Sequence, residues 1–285
     1  MPNREYYARR KGLGAGTEIT FSMLKRIFLN TFVQLRKDDY LQQALGYHCI
    51  DDGDVPGTWG ADHEAFVLSV LRMDGLWPIE SNIENWEEPE LFTMIEFLYD
   101  HVSAPDEGRY HSFANCGWHG TTWNQEKGRQ RYREEMNGIL KDYEPGFVLS
   151  EKGEVLQLAP TGLDTLVDEM AVSGDADNID NRVQGAISSF RKHNASLNDK
   201  KEAVRTLGDV LEFLKKNGKA LPKPDDSSLF QILNKFDIRH HRPDQSANYS
   251  REEFYPWIFY TLLASIDLLV RLSFGAGQPA VQVSR

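Results

Sequence analysis

The stretch Asp199–Leu214 reads DKKEAVRTLGDVLEFL and decides the fold of the C-terminal half of the chain. Its apolar residues are spaced one, three or four positions apart, which places them on one face of a helix. They are Ala203, Val204, Leu207, Val210, Leu211 and Leu214. Asn198 or Asp199 is expected to cap its start. The stretch therefore predicts an amphipathic helix that must bury its apolar face against partner helices.

Partner helices are predicted on both sides of this stretch. Ile179–Phe190 precedes it with the same spacing, and Leu229–Phe236 and Arg251–Phe274 follow it after short connections. The acidic segment Gly174–Asp180 is expected to be a linker. Four amphipathic helices with short connections predict a four-helix bundle within residues 161–285.

The N-terminal region, residues 1–160, is expected to be a helix-rich domain. Five segments with helical periodicity support this expectation: Thr20–Arg36, Leu41–Leu45, Ala65–Arg72, Pro89–Val102 and Gly128–Tyr143. The one convincing β pattern is Phe147–Leu158, where two apolar runs flank a short turn that contains Gly153. The fold class is therefore mainly α, with one small β-hairpin closing the N-terminal domain ahead of the bundle.

Composition and charge exclude several classes of protein. The chain has 285 residues, 40% of them hydrophobic, a net charge of −11 and two cysteines. This is too apolar for a disordered chain and too poor in cysteine for a disulfide scaffold. No Lys or Arg lies between Met73 and Glu107, so general binding of nucleic acid by the N-terminal half is not expected. The apolar run Trp257–Ile266 falls short of the ~20 residues that cross a bilayer. We expect a cytoplasmic protein without a membrane segment.

The segment that joins the third and fourth bundle helices concentrates basic and titratable side chains. It reads NKFDIRHHRPDQ from Asn234 to Gln245. Arginine binds phosphate through its planar fork, and histidine exchanges a proton near neutral pH. Together they supply what metal-independent cleavage of an RNA phosphodiester requires. The alternative is structural: the same cations complement the helix C-terminus and pair with Asp237 and Asp244.

The C-terminal hundred residues resemble a HEPN-type domain, a four-helix module of prokaryotic toxins and defence proteins. The resemblance rests on Asp199–Leu214 and on Asn234-x-Phe236-x-Ile238-Arg239-His240-His241. The N-terminal part resembles the domain preceding such modules in AbiJ-like abortive-infection proteins. The matching pieces there are Leu76–Ile79, Leu91–Tyr99, Asn137–Leu140 and Leu149–Glu154. The resemblance implies an antiviral defence protein with ribonuclease activity. It also implies a C2 homodimer through the bundle, to which Trp257, Tyr260 and Phe274 are expected to contribute.

The candidate site residues all belong to this joining segment. Arg239, His241 and His240 are the catalytic candidates, with His241 as acid and base and Arg239 as the phosphate clamp. Arg242, Asn234 and Lys235 are the candidates for substrate binding. HEPN ribonucleases separate Arg and His by four to six residues, and no pair in this sequence does. A non-catalytic module that binds a nucleotide, an RNA or a protein therefore remains the alternative.

Two other motifs receive weaker interpretations. Cys116-Gly117-Trp118-His119, together with His48-Cys49, contains the residue types of a Cys2His2 zinc site. Adjacent His48 and Cys49 do not easily reach one ion, so a buried cysteine and a hydrogen-bonded histidine are preferred, and neither metal nor cofactor is expected. Lys127, Arg129, Arg131 and Arg133 lie on one helix ahead of the hairpin, the order of elements in winged-helix DNA-binding regulators. Glu134 and Glu135 offset their charge, so a solvated helix face is preferred.

Overall fold

A computed structural model describes residues 7–11, 19–236, 238 and 249–274 of the chain. It is 59% helical and 12% strand, which confirms the mainly helical class. The chain divides between Gln157 and Leu158 into two compact units. Each unit has its own cluster of buried hydrophobic side chains.

The first unit alternates helices with short strands. In chain order its elements are α1 (Tyr7–Arg10), α2 (Phe21–Lys37), α3 (Gln42–Leu45), β1 (Gly46–Cys49), β2 (Gly53–Pro56), α4 (His63–Leu71), α5 (Ile79–Asn82), α6 (Glu88–His101), β3 (Ala104–Pro105), β4 (Gly108–His111), β5 (Gly117–Gly120), β6 (Trp123–Asn124), α7 (Gln125–Leu140), β7 (Phe147–Leu149) and β8 (Val155–Gln157). Short 3-10 turns lie at Ile83–Asn85 and Phe113–Asn115.

Helices α2, α6 and α7 build the core of the first unit. The Thr20 hydroxyl caps α2 by accepting a hydrogen bond from the backbone N–H of Met23. A capping box between Glu87 and Glu90 starts α6. On α7 the fully buried Tyr132 donates its hydroxyl proton to the carbonyl oxygen of Ile95, at 3.0 Å. Each helix is thus satisfied at its end and buried along one face.

The prediction of a single hairpin is wrong, because the described residues of the first unit form four two-stranded antiparallel sheets. The predicted hairpin is present as β7–β8, with Val148 opposite Leu156. The pairs β1–β2, β3–β6 and β4–β5 were not predicted. Their strands are two to four residues long and lack an alternating apolar pattern, so they carry none of the signal by which strands are recognised.

The second unit begins with α8 (Asp164–Asp168) and a π-helical turn at Ala176–Asp180. Four longer helices follow: α9 (Asn181–Arg191), α10 (Leu197–Lys216), α11 (Asp225–Lys235) and α12 (Arg251–Phe274). Among the described residues, the buried faces of these four helices share one hydrophobic core. Phe190 of α9 stacks on Phe259 of α12, with ring centroids 4.0 Å apart.

Two local predictions in the second unit need correction. Gly174–Asp180 is not a linker, because Ile179 is buried and the Asp180 carboxylate accepts hydrogen bonds from Ser173 and the backbone N–H of Gly174. Helix α10 is capped by Ser196, which forms a capping box with Asp199. The cap lies two or three residues before the predicted positions because a serine hydroxyl accepts the free N–H groups as well as a carboxylate does.

Helix α12 is long and apolar enough, by length and composition alone, to cross a membrane. Only 44% of the apolar stretch within Arg251–Ser273 is buried inside the protein. The core helix of a soluble protein passes the same test, so this is weak evidence for a membrane segment. Several of its side chains, Phe259 and Leu263 among them, lie in the core of the second unit.

Leu207 of α10 is fully buried at the centre of the second unit, so its truncation should destabilise the protein. We expect Leu207→Ala to lower the free energy of unfolding by about 2–5 kcal/mol, because the lost side chain leaves a cavity. Leu197→Ala, at the exposed first position of α10, is the matched control and should change it by less than about 0.5 kcal/mol. Urea unfolding followed by circular dichroism measures both. Equal effects would contradict this packing.

Candidate metal centre

The hairpin β1–β2 carries the first cysteine to the end of a strand. Cys49 is the last residue of β1 and pairs with Gly53 across the turn. Gly53 has a φ of 72°, a left-handed conformation that glycine adopts without strain. Cys49 is fully buried, so its thiol faces the interior of the unit.

A second hairpin, β4–β5, presents two histidines on one face. Arg109 pairs with His119 and His111 pairs with Gly117 in its antiparallel register. Side chains alternate along a strand, so His111 and His119 project from the same side of this hairpin. Their ring centroids are 5.5 Å apart.

The loop between β4 and β5 places Cys116 beside these histidines. It contains the 3-10 turn Phe113–Asn115, in which Ala114 has a φ of 51°. Gly117 follows with a φ of 91° and opens β5. The two left-handed residues turn the chain sharply and bring Cys116 back toward His111.

Four potential ligand atoms converge where the two hairpins meet. The sulfur atoms of Cys49 and Cys116 and one nitrogen each from His111 and His119 all lie within 4.8 Å of one another. The Cys49 sulfur is 3.6 Å from Nδ1 of His111. A tetrahedral zinc ion, with zinc–sulfur bonds of ~2.3 Å and zinc–nitrogen bonds of ~2.0 Å, would separate these two atoms by about 3.5 Å, close to the distance observed.

His119 is buried without a hydrogen-bond partner. It is 2% exposed, and neither ring nitrogen has a partner among the described residues. Tyr47 stacks on the ring with centroids 4.3 Å apart, which fixes its plane but satisfies no polar atom. The expected hydrogen-bonded histidine is therefore wrong. A buried imidazole left in this way costs about 1–3 kcal/mol, a cost that a metal–nitrogen bond would remove.

Outer partners orient two of the other ligands. Oδ2 of Asp51 lies 3.4 Å from Nε2 of His111, which leaves Nδ1 facing Cys49. The contact is an ion pair, and it puts a carboxylate at the second ring nitrogen, the position from which an outer carboxylate orients a metal-binding histidine. The backbone N–H of Ile50 donates a hydrogen bond to the sulfur of Cys116, at 3.2 Å, and would stabilise a thiolate there.

A buried glutamine holds β5 in place through hydrogen bonds to the strand's backbone. Gln42 accepts a hydrogen bond from the backbone N–H of Gly120 and donates one to the carbonyl oxygen of Trp118, both at 2.7 Å. It also donates to Asp39, at 3.2 Å. Burial raises the pKa of the Asp39 carboxyl, and the field of His119, when charged, opposes that rise. A cation at the cluster would therefore favour the ionised carboxylate.

The composition of the cluster identifies the ion it suits. Two thiolates and two imidazoles in a compact, tetrahedral set match Zn²⁺ better than the oxygen-preferring Mg²⁺ or Ca²⁺. Four protein ligands fill a tetrahedron and leave no position for a substrate or water. A catalytic Cys49–His111 pair is excluded because the Cys49 side chain is inaccessible to substrate.

The sequence signal for this cluster was the spacing His111-x4-Cys116-x2-His119, of which only the second half was recognised. The other candidate, His48, points away from the cluster and pairs with Asp54, at 2.7 Å. Neighbouring residues in a strand face opposite sides, so His48 and Cys49 do not serve one ion. No local pattern connects Cys49 to ligands some sixty residues downstream; only the meeting of the two hairpins does.

Most of the predicted catalytic segment lies outside the described residues, namely Arg239, His240, His241 and Arg242. Asn234 and Lys235 are exposed near the end of α11. The residues that flank the segment are close together. The ring centroids of Phe236 and Tyr249 are 4.8 Å apart, and the Tyr249 hydroxyl donates to the carbonyl oxygen of Phe236.

The arginines of α7 are paired within the first unit. Arg129 contacts Asp100 at 3.0 Å, and Arg131 contacts Asp38 at 2.5 Å. Arg133 lies 3.7 Å from Glu151, beside a cleft of about 770 Å³ whose walls carry both signs of charge. The arginine side chains that a winged-helix protein would direct at phosphates are here paired with carboxylates and only about a third exposed, so this helix face is ion-paired and half-buried rather than solvated as expected.

Asp51 offers a test of the metal centre that leaves all four ligands in place. We expect Asp51→Asn to weaken Zn²⁺ binding by roughly 10–100-fold, because the carboxylate no longer orients His111 or raises its basicity. Asp54→Asn, in the same hairpin but paired with His48, is the matched control and should bind as the wild type does. Competition with a chromophoric chelator measures the affinities. Equal affinities for the two variants would contradict the role of Asp51.

The chain was compared with family models, with curated proteins and with solved structures, and nothing in any of the three matches it.

Proposed function

We propose that the first unit is a zinc-binding module, in which Zn²⁺ is held by Cys49, His111, Cys116 and His119. The observation that carries the proposal is the convergence of these four ligand atoms within 4.8 Å, one of them from a buried histidine without a partner. The ion is structural, because four protein ligands complete its coordination.

Zinc would stabilise the hairpins β1–β2 and β4–β5, as the hydrophobic core stabilises the helices of the unit. Strands β1, β2, β4 and β5 have four residues each, and two-stranded hairpins are marginally stable alone. One ion pair between the hairpins joins Arg109 to Asp52 at 3.4 Å. Both side chains are exposed, so this pair contributes little to stability. A metal that joins Cys49 to the β4–β5 loop supplies free energy of folding directly.

The full-length chain, purified with zinc and gel-filtered, should carry one zinc ion per molecule by mass spectrometry of the metal. Cys49→Ser and His119→Ala should lose it, because three ligands bind zinc far more weakly than four. His48→Ala is the matched control and should retain it. With Co²⁺ the wild type should show sulfur-to-cobalt charge-transfer absorption. A wild type that binds no zinc, or a His48→Ala variant as deficient as His119→Ala, would refute the proposal.

We propose a second function for the second unit: an RNA-directed, endoribonuclease-like site in a HEPN-like bundle. The supporting observation is the contact between Phe236 and Tyr249. It brings both ends of the basic segment to one place, next to the exposed side chains of Asn234 and Lys235. In this proposal His241 transfers the proton and Arg239 clamps the phosphate. His240 and Arg242 add positive charge.

The proposal includes the homodimer through the bundle and a role in antiviral defence. Trp257, Leu268 and Leu272 leave an exposed apolar strip on α12, which favours association through that helix. Tyr260 lies mostly in the core, so it offers this surface little area. The side chain of Phe274 lies outside the described residues.

Single-stranded RNA should be tested in magnesium-free buffer without chelator, so that the zinc centre stays loaded. His241→Ala should reduce cleavage by ~10²–10⁴ at unchanged RNA affinity, because it removes proton transfer only. Arg239→Ala should weaken binding and cleavage together, since it contacts phosphate in both states. Salt-sensitive binding without cleavage would support the non-catalytic module instead. Neither binding nor cleavage would contradict an RNA-directed site.

A further inference from the structure

The two thiol ligands of the centre are the only cysteines in the chain. Their sulfur atoms lie within 4.8 Å of each other although sixty-six residues separate them in sequence. They differ in access to solvent: Cys49 is fully buried, whereas Cys116 is partly exposed in the β4–β5 loop. Cys116 is thus the cysteine that an oxidant in solvent would meet first, and the Cys49 sulfur lies close to it.

We propose that the centre is a redox switch, in which hydrogen peroxide oxidises the two thiolates to a disulfide and releases the zinc. This inference rests on the proposed zinc site and names its regulation. Coordination keeps both sulfurs deprotonated, and the thiolate is the form that reacts with peroxide. The Ile50 N–H that points at Cys116 stabilises the same charge.

The reaction proceeds in two steps that balance. The Cys116 sulfur attacks one peroxide oxygen and breaks the O–O bond, which gives a sulfenic acid and hydroxide. The Cys49 sulfur then attacks the Cys116 sulfur, forms the S–S bond and expels a second hydroxide. Two protons from solvent convert the hydroxides to water. The two sulfurs lose two electrons, the peroxide gains them, and Zn²⁺ leaves with its charge unchanged.

The structure indicates what the switch would change. A Cys49–Cys116 disulfide would still connect the two hairpins, with an S–S bond in place of the zinc ion. His111 and His119 lose their ion, and His119 then has no partner among the described residues. The loop between them holds Ala114 at a φ of 51°, a conformation that costs a non-glycine residue free energy. Release of both histidines removes the constraint at its two ends, so the loop is the part expected to rearrange.

The test uses the full-length, zinc-loaded chain, in which one bound zinc has first been verified. Hydrogen peroxide is added stepwise, a chromogenic indicator reports free zinc, and intact mass reports the protein. We expect one zinc released for each chain that loses two hydrogen atoms in mass. Peptide mapping should join Cys49 to Cys116 within one molecule. Dithiothreitol and zinc should restore the starting state.

A matched variant separates disulfide formation from simple loss of a thiolate. Cys116→His keeps four possible ligands but leaves Cys49 without a second thiol, and we expect its zinc release by peroxide to slow about tenfold or more. Should this variant fail to fold, the ratio of zinc to disulfide in the wild type decides alone.

Two results would overturn the switch while leaving the zinc site intact. One is retention of zinc at peroxide levels that fully oxidise free glutathione over the same time. The other is release accompanied by gain of oxygen atoms at either cysteine and no disulfide. A chain that carries no zinc before peroxide is added fails the proposed function itself, so the two failures are distinguishable.

Discussion

The account of the first unit rests on one buried imidazole, whose two ring nitrogens need an interaction to replace the hydrogen bonds they lose on leaving water. His119 lies on β5 with both ring nitrogens removed from water and from every described hydrogen-bond partner. Such a group is tolerated only where another interaction replaces hydration. The neighbouring Cys49, His111 and Cys116 supply that interaction if they share an ion with it. Three neighbouring groups would then hold the ligands in position. Asp51 orients His111, the Ile50 N–H contacts the Cys116 sulfur, and Gln42 fixes the strand of His119.

The second unit follows a different principle. Helices α9 to α12 bury apolar faces against one another, and their regular periodicity carries the information for this packing. Among its described residues no group of His, Cys, Asp and Glu side chains converges as the four candidate ligands of the first unit do. The two proposed functions therefore rest on different physics. The metal centre is defined by geometry that the structure describes. The RNA-directed site is defined by residue types next to the Phe236–Tyr249 contact.

The difference also explains how much could be predicted from the sequence. Leu207 and its neighbours announce α10 because the helical period repeats over many residues, and Gly153 marks the hairpin β7–β8 because apolar runs flank it. The sequence gives no signal that His111 and Cys49 belong to one site, because their strands are short and the two residues are far apart along the chain. The capping of α10 by Ser196 and the turn that Asp180 closes were missed because each depends on hydrogen bonds made by one or two side chains. Periodic sequence patterns predict helices and hairpins, but they do not reveal a site formed by residues from distant loops.

The central claim is that four side chains of the first unit coordinate one zinc ion. X-ray absorption at the zinc edge of the zinc-loaded, full-length chain tests it most directly, because the spectrum reports the ligands and their distances. The account predicts two sulfur scatterers at ~2.3 Å and two imidazole nitrogens at ~2.0–2.1 Å. A shell of oxygen and nitrogen alone, or more than four ligands, would contradict it.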